Sequence, residues 1–199
     1  MKVIKLLSLL AVAAAALMAC IGNASATTVT GPGGNTTPFV HAESEEDKEV
    51  KPGTKHVVLH NGIAKIECNS TASGTVEKHG PGIKAAGEIK TLIFGTKATE
   101  GCTNGWVVHV TTPGELGIED LGANKGTLYS TGATIVATRL KLECWYKTST
   151  TDIGTVTGGA TATLKIKGVI PFHGGSPLCG GAASWTGSYV TTEELNIHS

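Results

Sequence analysis

Apolar and polar residues alternate with a period of two along much of this chain. In ATATLKIK, residues 160–167, every even-numbered position is apolar and every odd position is Thr or Lys. In TIVATRLKLEC, residues 134–144, the same spacing puts Val136, Leu140 and Cys144 on one side and the charged residues on the other. Because successive side chains of a strand point to opposite faces, both stretches predict strands with one buried face.

Two tryptophans begin further rows of this kind. Trp106 alternates with Val108 and Val110, and Trp185 with Tyr189 across a glycine. The chain contains 27 glycines and no long run with apolar residues every three or four positions, which favours strands and tight turns over helices. We therefore expect an all-β fold, an antiparallel β-sandwich or barrel of roughly nine to twelve strands.

One phrase occurs twice in the chain. WVVHVTTPGELGI, residues 106–118, and WTGSYVTTEELNI, residues 185–197, both run from Trp through Val-Thr-Thr to Glu-Leu-x-Ile. Upstream landmarks repeat in the same order: Cys68 and Cys144, Gly74 and Gly154, Cys102 and Cys179. This order predicts an internal duplication, with pseudo-repeats at about residues 58–119 and 134–199.

The first 26 residues have the pattern of a secretory signal peptide. Lys2 and Lys5 precede an apolar run over residues 6–19, and Ala24-Ser25-Ala26 supplies a small-x-small cleavage site. The apolar run is too short to span a bilayer as a helix. We expect export and a single β domain over residues 27–199, without a transmembrane segment in the mature chain.

A lipoprotein is the alternative to simple secretion. Leu17-Met18-Ala19-Cys20 is similar to a lipobox, which would leave an acylated Cys20 as the first residue and anchor the chain to a membrane. The Met is bulky for that motif. Simple secretion is therefore favoured.

Four cysteines remain after either route of processing: Cys68, Cys102, Cys144 and Cys179. An even number in an exported chain predicts two disulfides, and four cysteines allow three connectivities. Within the two pseudo-repeats the separations are 34 and 35 residues. Shorter loops are easier to close, so this favours Cys68–Cys102 and Cys144–Cys179, with the other pairings open. No close cysteine pair indicates zinc.

Charge excludes some partners. Cleavage would remove Lys2 and Lys5 from 16 basic residues against 16 acidic ones, leaving a net charge of about −2 and no basic stripe. Nucleic acid is thus not an expected partner. Residues 41–56, HAESEEDKEVKPGTKH, are interpreted as a charged, solvated loop, because they lack the Asp spacing of a calcium loop.

Candidate catalytic residues are few. His173-Gly174-Gly175-Ser176 resembles the glycine loop of esterases, but G-x-S-x-G is absent. Glu67 and Glu143 occupy equivalent strand positions and could form an acid/base couple. Beside Lys65 and Lys141 they are better explained as cross-strand charge pairs.

Binding residues are equally sparse. The tryptophans Trp106 and Trp185 could stack on sugars, although their apolar rows favour core packing. The histidines have no ligand-like spacing, and we expect no metal and no cofactor. They are His41, His56, His60, His79, His109, His173 and His198.

Several motifs resemble those of a known group. IECNSTASGTVEKHG, CTNGW, GTLYSTGAT, TDIGTVTGGATATLKI and WTGSY are similar to segments of small, uncharacterised, exported β-rich proteins of actinobacterial type, from about Thr27 to the end. A fainter likeness, in composition and cysteine use, is to exported alkane-oxidation-activator-like proteins. The resemblance implies export and carries no activity.

These observations favour an exported, non-catalytic protein of the cell envelope or extracellular space, acting in adhesion, assembly or ligand binding, with a cell-surface polymer or protein as its partner. A secreted hydrolase of cell-wall or polymeric substrates is the alternative, with His173 or the paired glutamates as its reactive groups.

Overall fold

The computed structural model describes residues 26–45, 57–80, 83–95 and 102–199. The described chain is almost entirely β, so the all-β prediction is confirmed. Fifteen strands follow one another in these residues, with three short 3-10 turns at Pro32–Gly34, Thr103–Gly105 and Pro177–Cys179. The strands are β1 Thr28–Thr30, β2 Phe39–Ser44, β3 Val57–His60, β4 Lys65–Cys68, β5 Ser70–Gly80, β6 Ile83–Phe94, β7 Val107–Thr112, β8 Glu115–Gly122, β9 Lys125–Thr131, β10 Thr134–Arg139, β11 Leu142–Lys147, β12 Thr151–Thr157, β13 Thr163–Gly175, β14 Ala182–Thr191 and β15 Asn196–His198.

Eight of these strands form a closed antiparallel barrel. The order around it is β2-β5-β6-β8-β9-β12-β13-β14, and β14 closes the ring by pairing with β2. Ala42 lies opposite Thr191 at this closure. A closed barrel leaves no edge strand, so its backbone N–H and C=O groups are paired around the whole ring. Of the two architectures allowed by the sequence, the barrel is the one observed.

Two long strands extend beyond the barrel and build a second sheet. The last residues of β13 pair with β11, which continues to β10 and β7. The first half of β14 pairs with β3, which continues to β4. The second sheet thus has the order β7-β10-β11-β13-β14-β3-β4, with β7 and β4 at its edges.

Both disulfides belong to this second sheet. Cys68 ends β4 and is bonded to Cys102, which lies five residues before β7, so the bond links the two sheet edges. The Glu67 N–H also donates to Thr103 Oγ1 at 3.0 Å across the same gap. Cys144 in β11 is bonded to Cys179. The favoured connectivity is therefore confirmed, and the two bonds indicate a non-reducing, extracellular-type environment.

The alternation pattern predicted most buried faces correctly. Trp106, Val108, Trp185 and Tyr189 are all buried. Leu140 was expected in the core and is instead 98% exposed. The alternating stretch is a β10–β11 hairpin rather than one strand, and Leu140 occupies its two-residue turn with a φ of 54°.

Residues 41–56 are only partly described. His41–Ser44 belong to β2 rather than to a loop, so that part of the charged-loop interpretation is wrong. Residues 46–56 lie outside the described part of the chain, as does the predicted signal segment up to residue 25. Among the residues that can be described, no helix has the length and apolarity needed to cross a membrane.

Two glycines that stand at matching places in the repeated sequence pattern, Gly74 and Gly154, have similar pairing. Gly74 lies opposite Ile89 in β5–β6, and Gly154 lies opposite Ile166 in β12–β13. A Cβ at either glycine would collide with a backbone carbonyl oxygen of the facing strand, which explains glycine at both positions. In the second sheet, strand β7 pairs with β10, and β14 pairs with β3.

A candidate ligand cavity inside the barrel

The His-Gly-Gly-Ser motif does not form a nucleophilic pair. His173 is exposed on β13, and Ser176 caps the turn that follows, where its Oγ accepts the Leu178 N–H at 3.4 Å. Both residues are described, and no hydrogen bond joins them. Because a catalytic Ser–His pair must come within hydrogen-bond reach, this segment lacks the contact that the hydrolase alternative needs.

The two glutamates are also kept apart. Glu67 lies on β4 and Glu143 on β11, with three strands of the second sheet between them. Lys65 Nζ contacts Glu67 Oε1 at 2.6 Å along one strand, so this ion pair is not the cross-strand pair expected from the sequence. Glu143 accepts the indole N–H of Trp145. An acid/base couple would need both carboxylates at one substrate bond.

The histidines that the structure describes do not converge on a metal site, and no group of three or more His, Cys, Asp or Glu ligands occurs among the described residues. His79 has a structural role instead: its Nδ1 accepts the Val29 N–H at 3.3 Å, and its Nε2 lies 2.5 Å from the Thr36 carbonyl oxygen. His41 contacts Glu43 at 3.6 Å. His56 lies outside the described part of the chain.

Both tryptophans belong to the core. Trp106 is 2% exposed and Trp185 is 6% exposed, so neither indole presents a face on which a sugar could stack. Trp185 packs edge-on against Phe94 and Tyr189, with ring centroids 6.0 and 6.4 Å away. The core-packing interpretation of the two tryptophans is confirmed.

The barrel encloses a cavity of about 110 Å³. Its wall draws on all eight barrel strands and is almost entirely apolar. Principal contributors are Ala42, Ala72, Val76, Ala85, Leu92, Ile118, Ile153, Val156, Ile166 and Trp185. An eight-stranded barrel is just wide enough either to be filled by its own side chains or to hold one small ligand. The interior of this barrel is not completely filled by its own side chains.

Small residues at inward positions create the space. Ala42 on β2 lies directly opposite Ala72 on β5, and Ala85 on β6 lies opposite Ile118 on β8. All four line the cavity. Larger aliphatic side chains at the three alanines would reach toward the barrel axis, so this choice of residues leaves part of the interior unfilled.

Most polar groups at the cavity wall bond within the protein, but the buried indole N–H of Trp185 has no hydrogen-bond partner among the described residues. The buried hydroxyl of Tyr189 donates to Ser70 Oγ at 2.8 Å, and the Ser70 N–H donates to Ser44 Oγ at 3.0 Å. Burial raises the pKa of Tyr189 well above its ordinary value of 10.0, and the hydrogen bond to Ser70 offsets part of that rise. Tyr189 is thus neutral at physiological pH. The cavity wall is largely apolar, with the exposed Glu88 at its margin, and it suits ligands that need few hydrogen bonds.

Among the cavity residues, only Trp185 was considered a binding candidate from the sequence, and then for stacking on sugars rather than as part of an internal cavity. The available signal was the occurrence of alanine at buried or half-buried positions of strands that are neighbours in the barrel, at Ala42, Ala72 and Ala85. Alanine is also common in filled cores, where a neighbour supplies the missing volume. Only the barrel closure shows which strands face one another and therefore where volume is left over.

Comparisons with protein-family models, with curated proteins and with solved structures found no match to this chain. A function for it has therefore to follow from its own residues and their geometry.

Proposed function

We propose that this chain is an exported, non-catalytic protein of the cell envelope or extracellular space that binds a small apolar molecule inside its eight-stranded barrel. The cavity of about 110 Å³ is the observation on which this proposal depends. Ligand binding was one of the three roles expected from the sequence. The cavity favours it over adhesion and assembly, which use the outer surface.

The energetic cost of the cavity supports a ligand. In core mutants, stability falls by about 24 cal/mol for each Å³ of residual cavity, so a space of this size corresponds to about 2–3 kcal/mol. That is a large part of the net stability of a typical domain, about 5–15 kcal/mol. Three alanine-to-aliphatic substitutions would fill the space. A bound apolar molecule fills it equally well and stabilises the folded chain through its binding energy.

Two features support export. The disulfides Cys68–Cys102 and Cys144–Cys179 are of the kind that persists in oxidising compartments. The N-terminal sequence has a charged, then apolar, then small-x-small pattern over residues 1–26. Intact-mass measurement of the mature protein distinguishes cleavage before Thr27 from acylation of Cys20.

We also propose that the chain arose by internal duplication. The shared register of Gly74 with Ile89 and of Gly154 with Ile166 supports it. So does the reciprocal exchange in the second sheet, where Thr186 pairs with Val58 and Val107 pairs with Thr138. Superposition of the two halves in an experimental structure tests this proposal. A best superposition that does not place the repeated landmarks of one half on those of the other would contradict it.

Ligand binding is tested by the melting temperature of the purified mature protein with small apolar compounds, such as benzene, cyclohexane and 1-hexanol. We expect at least one compound to raise the melting temperature in a concentration-dependent manner. Ala85→Leu, which fills the cavity, should abolish the response without unfolding the protein. The absence of any response in the wild-type protein would contradict the proposal.

A matched pair of variants separates binding from general destabilisation. Ile118→Ala enlarges the cavity, whereas Ile170→Ala removes the same atoms from a fully buried residue that does not line it. Each should cost about 2–5 kcal/mol of stability. Only Ile118→Ala should shift the preference toward bulkier compounds. Equal ligand responses in the two variants would place the binding elsewhere.

A further inference from the structure

One hydrogen-bond donor in the wall of the barrel cavity has no acceptor. Trp185 lines the cavity and is 6% exposed, and its indole N–H is buried without a partner among the described residues. The hydroxyl groups of the same wall are all bonded within the protein: Tyr189 to Ser70, Ser130 to Thr148, Ser73 to Thr91 and Thr75 to Glu77. The described wall therefore keeps one buried side-chain donor that a ligand could use.

The strand pairing places this donor at one end of the barrel. Trp185 lies opposite Leu59 of β3, in the half of β14 that belongs to the second sheet. Tyr189 lies four residues later on the same face of the strand, opposite Ser44 of β2, where β14 closes the barrel. The two rings pack edge-on, with their centroids 6.4 Å apart. The indole thus lies where the barrel cavity meets the second sheet.

The effect of Trp185 on Tyr189 shows on which side the indole N–H lies. Burial raises the pKa of Tyr189, and the side chains of Ser70 and Trp185 each lower it in part. A donor lowers the pKa of a phenol because it favours the charged form. The indole N–H is therefore on the side of the Tyr189 hydroxyl, although no hydrogen bond joins the two groups. Since both residues line the cavity, this donor borders the space that a ligand would occupy.

The unpaired donor changes which ligands suit the cavity. A buried N–H that has lost its bonds to water without gaining another partner costs stability, and a pure hydrocarbon in the cavity leaves that cost in place. An acceptor oxygen on the ligand removes it. A ligand with several polar groups gains less, because the described wall offers no second unpaired, buried side-chain group.

We propose that the cavity binds small, neutral, apolar molecules that carry one acceptor oxygen, such as ketones, ethers or esters, and that the Trp185 N–H donates to this oxygen. The proposal depends on the proposed ligand-binding function and adds the ligand class to it. An apolar cavity of about 150 Å³ binds a single benzene ring. The present cavity, of about 110 Å³, is somewhat smaller, which limits the buried part of the ligand to one small ring or a short alkyl segment.

Cyclopentanone and cyclopentane are matched probes, because they share one ring and differ by a carbonyl group. The chain has three tryptophans, so a proton–nitrogen correlation spectrum of the isotope-labelled mature protein contains three indole N–H signals. Cyclopentanone should move the Trp185 indole proton downfield in a saturable manner, as a new acceptor does, and cyclopentane should not. The Trp106 signal is the internal control, since its N–H is also buried and unpartnered but does not line the cavity.

A pair of variants tests the donor by affinity. Trp185→Phe removes the indole N–H from the cavity wall, and Trp106→Phe makes the same change away from it. The smaller ring alters the cavity volume for both probes, so the informative quantity is the ratio of the ketone affinity to the hydrocarbon affinity. This ratio should fall about five- to tenfold in Trp185→Phe and stay unchanged in Trp106→Phe. A melting curve shows that each variant is folded, and the wild-type spectrum needs no variant to fold.

The outcomes separate this proposal from the proposed function. If both probes bind but cyclopentanone gives no downfield shift of the Trp185 indole proton, the donor role is wrong and ligand binding stands. An affinity ratio that is the same in wild-type protein and Trp185→Phe leads to the same conclusion. If neither probe perturbs the spectrum or raises the melting temperature, and the other apolar compounds also fail, the proposed function itself fails.

Discussion

The barrel and the second sheet solve the same problem, the closure of a β structure, in different ways. The barrel closes through backbone hydrogen bonds around eight strands and contains no disulfide. The second sheet has two edges, and the bond between Cys68 and Cys102 links them. Edge strands expose unpaired backbone groups, so covalent closure is placed where hydrogen-bonded closure is lacking.

The two regions also differ in how their interiors are filled. The region of the second sheet contains large, fully buried side chains, among them Trp106 and Tyr146. The Tyr146 hydroxyl donates to the Cys179 carbonyl at 3.0 Å. The barrel instead places alanines around a cavity. The disulfide-bonded second sheet therefore contributes mainly to stability, whereas the barrel keeps an unfilled interior. This difference is consistent with the proposed ligand-binding function.

Removal of the edge disulfide should have a large effect on stability. Each bond closes a loop of about 35 residues, which the chain-entropy model values at about 3–4 kcal/mol. Cys68→Ser with Cys102→Ser should lower the free energy of unfolding by about this amount, measured by urea denaturation under oxidising conditions. An unchanged urea midpoint of unfolding would contradict a stabilising role for the Cys68–Cys102 bond.

The double variant without the Cys68–Cys102 bond also tests whether the barrel depends on the second sheet. Because the barrel closes through its own hydrogen bonds, the remaining folded protein should keep its response to the apolar compounds. Loss of that response in protein that is still folded would show that the barrel depends on the second sheet for its shape.

Alkaline pH should lower the stability of the folded protein by a smaller amount. Substitution of the barrel residue Tyr189 shows how much of that loss comes from this tyrosine. Burial raises the pKa of Tyr189 in the folded chain above its ordinary value of 10.0. The stability that comes from this difference is complete below about pH 10 and is lost as pH rises toward the folded pKa, because the unfolded chain ionises first. We expect Tyr189→Phe to cost about 1 kcal/mol at pH 7 through the lost bond to Ser70.

This prediction is checked by measuring the urea midpoint of unfolding of the wild-type protein and of the Tyr189→Phe variant at pH 7 and at pH 11. The variant should lose less stability between the two pH values than the wild-type protein does. Tyr146→Phe is the matched variant in the second sheet, where burial also raises the tyrosine pKa. Equal pH dependence in the wild-type protein and both variants would contradict the buried-phenol explanation.

The smallest effect concerns the β10–β11 turn. Leu140 has a φ of 54° and is 98% exposed, so it has the strain of the left-handed region without the benefit of burial. Leu140→Gly should raise stability by up to about 1 kcal/mol, measured by thermal unfolding. A loss of stability would mean that this side chain makes a contact important for folding.

Much of the fold followed from the sequence because its determinants are local. Alternation identified the buried faces at Trp106 and Trp185, and the loop lengths favoured the observed disulfide pairing. Leu140 shows the limit, since a two-residue turn between alternating strands preserves the period of two across the break. Alternation alone therefore cannot show where one strand ends.

The site was beyond sequence reasoning for a different reason. The cavity depends on which residues lie side by side on neighbouring strands, such as Ala42 with Ala72, and on volume left by strands distant in the chain. Periodicity gives the direction of a side chain but not its neighbour across the barrel. By contrast, His173 and Ser176 were candidate catalytic residues because of their residue types, but no hydrogen bond joins them.

The most direct measurement of the central claim is a crystal structure of the mature protein pressurised with xenon, an apolar atom that enters dry cavities of this size. Xenon is expected inside the barrel, in contact with Ala85, Ile118 and Val156, and not within the second sheet, whose interior is filled by large side chains. A barrel whose side chains close the space and leave no xenon site, or xenon bound only in the second sheet, would contradict the claim.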